Sequence, residues 1–573
     1  RAGTFRGPTS SYPPALIRVV EALGKAGDEQ GLTALVVAGE RAQSNLMKAE
    51  VALSVGRYAF RGIKSETSTL YVIDLLSHSL NGERWKAAYA LMRIGNPELL
   101  RKGEEKIISA ASQSDPRVRM FIATVLGRLV TAPAAVNALL SLSLSDGDWR
   151  VRVNAIRSLG KVDTAGNVRV LPALLRIIPD SNQHVSLTAI TTAGDMGLER
   201  SPFATEFRKT LVEILNSSSS ERQKREAGIA LAKIFGADAV PILGDQFRKG
   251  NLTKTNYVAS LAFIPTQEAV QILIAFSGEG NYRLEREALE ALLSCIKFFE
   301  KDTSVVEKAR PAFIAGLQSG DMAVIAVAAS ALGDSVLIDE RSVAPLLLSL
   351  RQLKTPKDVD AIIAIVEALG NLKSKNAIGP LESKLNDSDR NVAVESARAL
   401  EKITGNKYMH LLSRPVVPAR TAFDWKLLEW TRSHPKVNVK TNRGSFTFKL
   451  LPEEAPFTVI NFATLIRNKF FDGLSFHRVV PNFVIQGGDP RGDGWGGPGY
   501  EIRSEFGYEH YERGTVGVAS SGKDTEGCLW FVTHCDTPHL DGRYTIFGKI
   551  ISGMDVVDQV QVGDQIQEMT LEK

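Results

Sequence analysis

A short pattern of small and apolar residues recurs along the first four hundred positions, and it limits the fold of that region more than any other feature. Copies such as VEALGKAGD from Val20, AYALMRIGN from Ala88, VNAIRSLGKVD from Val153, LTAITTAGDMG from Leu187, EAGIALAKIFG from Glu226, VAASALGD from Val327 and VEALGNLK from Val366 follow a spacing of about 34 residues. Weaker copies start at Glu50, Ile122, Tyr257, Glu287 and Val394, about twelve in all before Gly405. In each copy the apolar residues fall at helical spacing, alanines stand where two helices approach closely, and a Gly or Asn ends the run. Each unit therefore reads as a helical hairpin, and hairpins repeated on this period stack into a solenoid.

An aspartate often opens the second helix, as at Asp115, Asp148 and Asp389, where it can cap free N–H groups at the positive end of the dipole. The basic residues that follow, Arg119, Arg150 and Arg152, are placed to pair with aspartates of neighbouring units. Asp, then Val-Arg, then Ala-x-x-Ala-Leu-Gly resembles the HEAT-repeat family, particularly its short bacterial form, over residues 12–405. That resemblance implies a curved scaffold with protein partners on its concave face. Some short-repeat relatives act on bilin chromophores, but no concentration of catalytic residue types along the array supports that version. The recurring Ala, Leu and Gly read as hairpin packing, His184 as a surface or packing histidine, and Cys295 as a buried thiol.

At 573 residues the chain exceeds what one core supports. Its 44% apolar and 23% charged content is that of a folded protein. A net charge of +5 without a long run of like charges does not favour nucleic acid as a partner. Apolar runs such as residues 361–368, AIIAIVEA, fall short of the roughly twenty residues of a membrane span, so none is expected. Cys295, Cys528 and Cys535 form no CxxC pair and no multi-bridge framework, and they leave the redox compartment open. The first residue is Arg1, which raises the expectation of a leader removed or not included, and with it the cell envelope or periplasm ahead of the cytoplasm.

The period fails after Gly405, where Pro415, Pro418 and Pro435 bracket a junction, residues 411–435. Within it FDWKLLEW puts Phe423, Leu427 and Trp430 on one helical face, with Trp425 and Leu428 beside them. Two readings stand: a helix that packs the end of the solenoid, residues 12–410, against the next domain, or an ordinary last capping helix.

From Lys436 the pattern alternates. Val437 and Val439, a turn at residues 442–444, then Phe446, Phe448 and Leu450 read as a β-hairpin. A helix follows, with Pro456 near its start and Val459, Phe462, Ala463 and Ile466 on one face, and then short strands separated by Gly-rich loops. The turn spacing predicts a closed antiparallel barrel. Residues 476–490, FHRVVPNFVIQGGDP, put an arginine, two apolar side chains and a glutamine on two short strands, a cationic fork beside a small apolar pocket.

The blocks KVNVKTNRGSFTFKLLPEEAPFTVINFATLI, FHRVVPNFVIQGGDPRGDGWGG, GTVGVASSGKDTEG and HLDGRYTIFGKIISGMDVV, in that order, resemble a cyclophilin-type peptidyl-prolyl cis-trans isomerase over residues 436–573. The resemblance implies an eight-stranded barrel with two capping helices and a substrate groove on its outer face. The chemistry needs neither cofactor nor metal. An X-Pro bond isomerises slowly because amide resonance must break in a twisted transition state. A donor aimed at the imide nitrogen and a dry pocket that holds the ring lower that barrier.

The resemblance assigns Arg478 as the catalytic donor and Gln486 as its orienting partner. It makes Phe483, Val484, Phe531 and Leu540 the proline pocket, Ala519 and Ser520 the edge whose backbone pairs with an extended peptide, and His539 and Tyr544 the rim. One departure is that Cys528, Leu529, Trp530 and Phe531 stand where the family usually has Ser-Gln-Phe-Phe. A polar contact to substrate at Leu529 is thus lost, and Leu529→Gln is expected to improve affinity. Cys528, His534 and Cys535 alternate like a strand with no carboxylate orienter evident, so no metal or nucleophile site is expected. GGDPRGDGWGG lacks the Lys-Ser/Thr ending of a phosphate loop and reads as a wide barrel loop that includes residues 491–493, RGD. The expected function is an isomerase acting on proline-containing polypeptides, with the solenoid as scaffold. The rival is a scaffold whose barrel binds proline segments without turnover.

Overall fold

The computed structural model describes residues 14–163, 169–412, 424–433 and 435–572. Phe423, Pro415 and Pro418 lie outside these residues. Up to Gly405 the described residues are helical throughout. The second helices of successive hairpins, from Pro14–Ala26 and Asn45–Phe60 to Val359–Leu372 and Arg390–Thr404, stack side on to one another as a continuous inner row. Small residues let them approach: a Cβ on Gly333 would lie 2.7 Å from Ala368 Cα in the next inner helix. The apolar faces merge into one core that runs the length of the array.

The caps form as the sequence predicts. Asp115 accepts from the N–H of Arg117, Asp148 from Arg150, and Asp389 from Asn391 and Val392. Arg119 reaches Asp146 at 2.7 Å and Arg152 pairs with Asp180, each in the following unit. Arg150 departs from the expected pairing. It folds back on its own cap, Asp148, at 2.6 Å, and its other edge donates to His534 O of the C-terminal domain at 3.3 Å.

One helical stretch corrects the reading of the apolar runs. Glu221–Arg248 is long and apolar enough, by length and composition, to cross a membrane. Its most apolar window is 50% buried inside the array, because both helices within it, Glu221–Phe235 and Ala239–Arg248, contribute to the solenoid core.

After the array, the helix Trp425–Thr431 is capped by Asp424 and packs on the C-terminal domain. Leu427 is buried against Ile460 and Ala463, with Leu428, Trp430 and Leu571 around them. Arg467 lies over the Trp430 ring at 5.1 Å.

The C-terminal domain contains one antiparallel sheet of eight strands: β1 Lys436–Thr441, β2 Gly444–Leu450, β3 Arg478–Val480, β4 Val484–Gly487, β5 Thr515–Val518, β6 Trp530–Thr533, β7 Ile546–Ser552 and β8 Ile566–Glu572. Their order is β3-β4-β6-β5-β7-β2-β1-β8. The helix Pro456–Arg467, with proline at its first turn, and a short helix, Met554–Val557, complete the domain. Trp530 is fully buried at the centre of the core, with Phe446, Phe448, Phe462 and Phe476 rings 5.9–6.5 Å from it.

The expectation of a closed barrel is corrected, because the sheet is open between β3 and β8. β3 is three residues long, and the chain before it meets β8 through the bridge Ser475↔Gln565, backbone bonds such as Phe476 N–H to Asp564 O, 2.8 Å, and the Asp472 carboxylate, which accepts from Met569 N–H at 3.0 Å. That is a seam between the edges rather than a ladder.

The inner helices hold this domain. Arg18 in the first inner helix lies 3.5 Å from His510, and Asp321, which caps Met322–Leu332, pairs with Arg491 at 2.7 Å. Helices packed at roughly 8–10 Å would put those two ends about 80 Å apart in a straight stack. A domain of this size has a radius of gyration of about 14 Å. Both contacts therefore require the array to bend around the domain, with the inner row on the concave side. Much of the concave face, expected to receive protein partners, is occupied by the chain's own C-terminal domain.

Candidate active site

The candidate residues lie in one row across the sheet. In the ladder Arg478 stands opposite Gln486, Gln486 opposite Phe531, Phe531 opposite Gly517, and Gly517 opposite Ile546. Residues directly opposite one another share a face, so the guanidinium, the amide and the phenyl ring project together from the outer face. Trp530, one position before Phe531, points into the core by the same alternation. Arg478 is exposed, and its Nη1 donates to Gln486 Oε1 at 3.4 Å.

Beside this row is a second apolar cluster, distinct from the core. Leu451, Val484, Tyr511, Phe531, Leu540 and Ile546 are buried in it, and Phe483, Ala519 and Tyr544 pack at its edge. Tyr511 stacks on Phe531 at 5.6 Å and 18°, and Tyr544 meets the same ring edge-on at 6.0 Å. His539 stacks on Phe483 at 5.8 Å. Burial, with Arg93 and Arg543 nearby, pushes His539 down to about 4, so its imidazole is neutral at neutral pH. The structure thus brings Phe483, Val484, Ala519, Phe531, His539, Leu540 and Tyr544 together, with Arg478 and Gln486 along the adjoining row.

Two candidates fall apart from that cluster. Leu529 is half-buried and packs against the barrel core, so the expected gain in affinity from Leu529→Gln now competes with lost core packing. Ser520 is half-buried just past β5, while Ala519 N–H is already bonded to Leu529 O at 2.9 Å. The backbone of Ala519 therefore spends its donor inside the sheet.

Three residues of the cluster were missed in the sequence. Tyr511, Leu451 and Ile546 come from separate segments, and nothing in their local pattern distinguishes them from core positions. Tyr511 is held by its hydroxyl, which donates to Thr545 O at 3.1 Å, and burial drives its phenol pKa well above the usual value. Gly517 makes room for it, since a Cβ there would lie 2.2 Å from the Tyr511 hydroxyl and 2.7 Å from Phe531.

The solenoid reaches the hairpin that carries Arg478 and Gln486. Arg157 donates to Pro481 O at 2.9 Å, while Cys535 Sγ and His534 N–H bond to Asn482 O and Phe483 O, at 3.2 and 2.8 Å. His184, read in the sequence as a surface or packing residue, is buried at this junction. Its Nε2 is 2.9 Å from Asp558 O, and Trp149 stacks on it at 4.7 Å while meeting His534 edge-on. Burial raises the thiols of Cys528 and Cys535 to about 12, which makes both poor nucleophiles. The loop containing residues 491–493 also belongs to the junction: Arg491 pairs with Asp321 and lies 4.7 Å from the Tyr282 ring, and Trp495 packs on the solenoid core.

Fold and site define a class: an antiparallel sheet with a guanidinium and an apolar pocket on its outer face. The family described as cyclophilin type peptidyl-prolyl cis-trans isomerase matches residues 436–573, and HEAT repeats match residues 104–191 and 136–206. A peptidyl-prolyl cis-trans isomerase of Helicobacter pylori is 44% identical over 135 residues, 23% of this chain and 83% of that protein. Peptidyl-prolyl cis-trans isomerase B of Bacillus subtilis is 48% identical over 127 residues, 22% of this chain and 89% of that one. A solved cyclophilin type isomerase of Cryptosporidium parvum is 29% identical, with a TM-score of 0.23 over 24% of this chain and 98% of that one. The chain belongs to the cyclophilin-type peptidyl-prolyl cis-trans isomerases and carries HEAT repeats ahead of the isomerase domain.

Proposed function

We propose that Arg478 is the catalytic group of this isomerase, donating to the imide nitrogen as its lone pair localises in the twisted state. A guanidinium remains charged at working pH and offers several donors in a fixed fork, so it stabilises the rotating bond without taking part in proton transfer. Gln486 orients that fork. Phe531, Val484, Leu540 and Phe483 hold the proline ring, His539 and Tyr544 form the rim, and Ala519 with Ser520 lines the peptide's path. The observation that carries this reading is the shared outer row of Arg478, Gln486 and Phe531, with the aromatic pocket beside it.

The organisation that accompanies this reading is a solenoid over residues 12–410, a junction over 411–435 and an isomerase domain over 436–573. The solenoid acts first as a clasp for the isomerase domain, and protein partners meet the surfaces that this docking leaves open. An NMR exchange or protease-coupled assay on an X-Pro peptide tests the catalytic role. Arg478→Ala is expected to lower kcat/KM about 10²–10³-fold, the scale of removing one transition-state donor. Turnover equal to that of the unaltered chain defeats it.

A further inference from the structure

We propose that the solenoid supplies an outlying subsite of the substrate groove. Phe60, Arg93 and Arg543 form a cationic aromatic shelf that takes an acidic side chain of the client, two to four residues from the isomerised proline. Phe60 ends the inner helix Asn45–Phe60 and is 39% exposed. Its ring is 6.2 Å from His539, which in turn stacks on Phe483 of the pocket at 5.8 Å. Phe483, His539 and Phe60 thus extend the pocket wall from the sheet onto the array.

Two guanidiniums flank the far ring. Arg93, from the next inner helix, lies 4.9 Å from the Phe60 centroid, and Arg543, from the loop after His539, lies 4.7 Å from it. Arg93 Nε donates to the Tyr89 hydroxyl at 3.0 Å, which fixes the side chain and leaves its terminal nitrogens for another partner. Among the described residues neither guanidinium has a carboxylate within ion-pair distance, although most basic side chains on the inner helices near them do. A guanidinium stacked on a ring keeps its in-plane donors free for a carboxylate. His539 is neutral here and adds no charge of its own.

The occupant follows from continuity. Two ring-to-ring steps, 5.8 and 6.2 Å, separate Phe483 from Phe60. An extended chain covers that distance in about three to four residues at roughly 3.3–3.6 Å each, and the reach of a Glu side chain shortens it further. The same polypeptide whose proline fills the pocket therefore passes the shelf. Selectivity for acidic clients is a property of the assembled chain, because the isomerase domain contributes Arg543 while Phe60 and Arg93 belong to the solenoid.

This inference rests on the groove roles proposed above. The test uses the full chain and X-Pro peptides carrying Glu or Gln at the second, third or fourth position on either side of the proline, and reads the Glu-to-Gln ratio of kcat/KM at low ionic strength. A ratio of about fivefold is expected at one or more positions, falling toward one in Arg93→Gln and Arg543→Gln and below one in Arg543→Glu. A ratio near one at every position in the unaltered chain overturns the shelf, as does a ratio that Arg543→Glu leaves unchanged. Arg543 sits in an exposed loop, so that variant decides the matter even if Arg93→Gln perturbs folding. Turnover of the Gln peptides that survives Arg478→Ala defeats the groove reading itself. Arg478-dependent turnover without a Glu preference defeats the shelf alone.

Discussion

Arg157 of the solenoid donates to the carbonyl of Pro481 at 2.9 Å, across a sequence separation of 324 residues. The tip of the hairpin that carries Arg478 and Gln486 is thereby fixed by a helix of another domain. Burial lowers the pKa of this guanidinium, and among the described residues no carboxylate stands within ion-pair distance of it. Arg157 is nevertheless exposed, so solvent weakens the charged hydrogen bond that Arg157→Met removes, and the net cost to docking is expected near about 1 kcal/mol. Hydrogen exchange at residues 482–484 should quicken and kcat should fall severalfold, with Arg157→Lys recovering part of the loss. Unchanged exchange and kcat would show that the hairpin holds itself.

Gly517 leaves the space in which Tyr511 and Phe531 stack. A methyl group there lies 2.2 Å from the Tyr511 hydroxyl, so Gly517→Ala must displace one ring or the other. Overpacking of this kind costs about 1–3 kcal/mol. Thermal unfolding should shift down, and kcat/KM for an X-Pro peptide should fall by more than about tenfold because the pocket aromatic moves. A variant that keeps its activity would place the proline ring elsewhere.

The junction between solenoid and isomerase domain should weaken in acid. Burial pushes His184 down to about 4 and His534 down to about 3, from an ordinary 6.5. Their rings are 5.5 Å apart, with Arg157 near the first, Arg513 near the second and Asp558 as the acidic neighbour of the first. Separated, His184 would take up its proton near pH 6.5, whereas docked it does so only near 4; His534, down at about 3, keeps Val557 and Arg513 of its own domain as neighbours and adds less to the effect. The docked form therefore binds fewer protons in that interval, so docking is at full strength above about 6.5 and is lost progressively as pH falls toward 3–4. The radius of gyration from solution scattering should rise between pH 7 and 4, and His184→Gln with His534→Gln should flatten that change. An identical pH profile in the double variant would assign it to other groups.

Arg491 anchors the wide loop to the array through Asp321, at 2.7 Å, and through the Tyr282 ring. Both ion-pair partners are mostly buried, so truncation should cost more than an exposed bridge would. Arg491→Ala is expected to weaken docking by about 1–3 kcal/mol, read as faster limited proteolysis around residues 491–496. Proteolysis at the original rate would make this contact dispensable.

Much of the local structure was legible in the sequence. The 34-residue period marked the hairpins, the aspartates marked their caps, and the alternation around Val437 and Phe446 marked β1 and β2. The order of the C-terminal blocks located Arg478, Gln486 and Phe531, and strand pairing then placed them on one face. Tyr511, Leu451 and Ile546 were not legible as pocket residues, because each is an apolar side chain in a buried segment and only strand order decides which of two clusters it joins. Leu529 shows the same limit, since it packs on the core of the C-terminal domain and not in the pocket cluster.

The sequence by itself determined the two kinds of domain, because periodicity records which face of each element is buried, and that is a local property; Arg478, Gln486 and Phe531 were located by the resemblance of the C-terminal blocks. Tertiary structure alone decided that the array bends around the isomerase domain, that Arg157 reaches the hairpin of Arg478 and Gln486, and that Phe60 and Arg93 stand beside His539. Those contacts join residues hundreds of positions apart, and they depend on the small rotation each hairpin adds to the last. Such a rotation accumulates along the stack, and no single repeat encodes its sum.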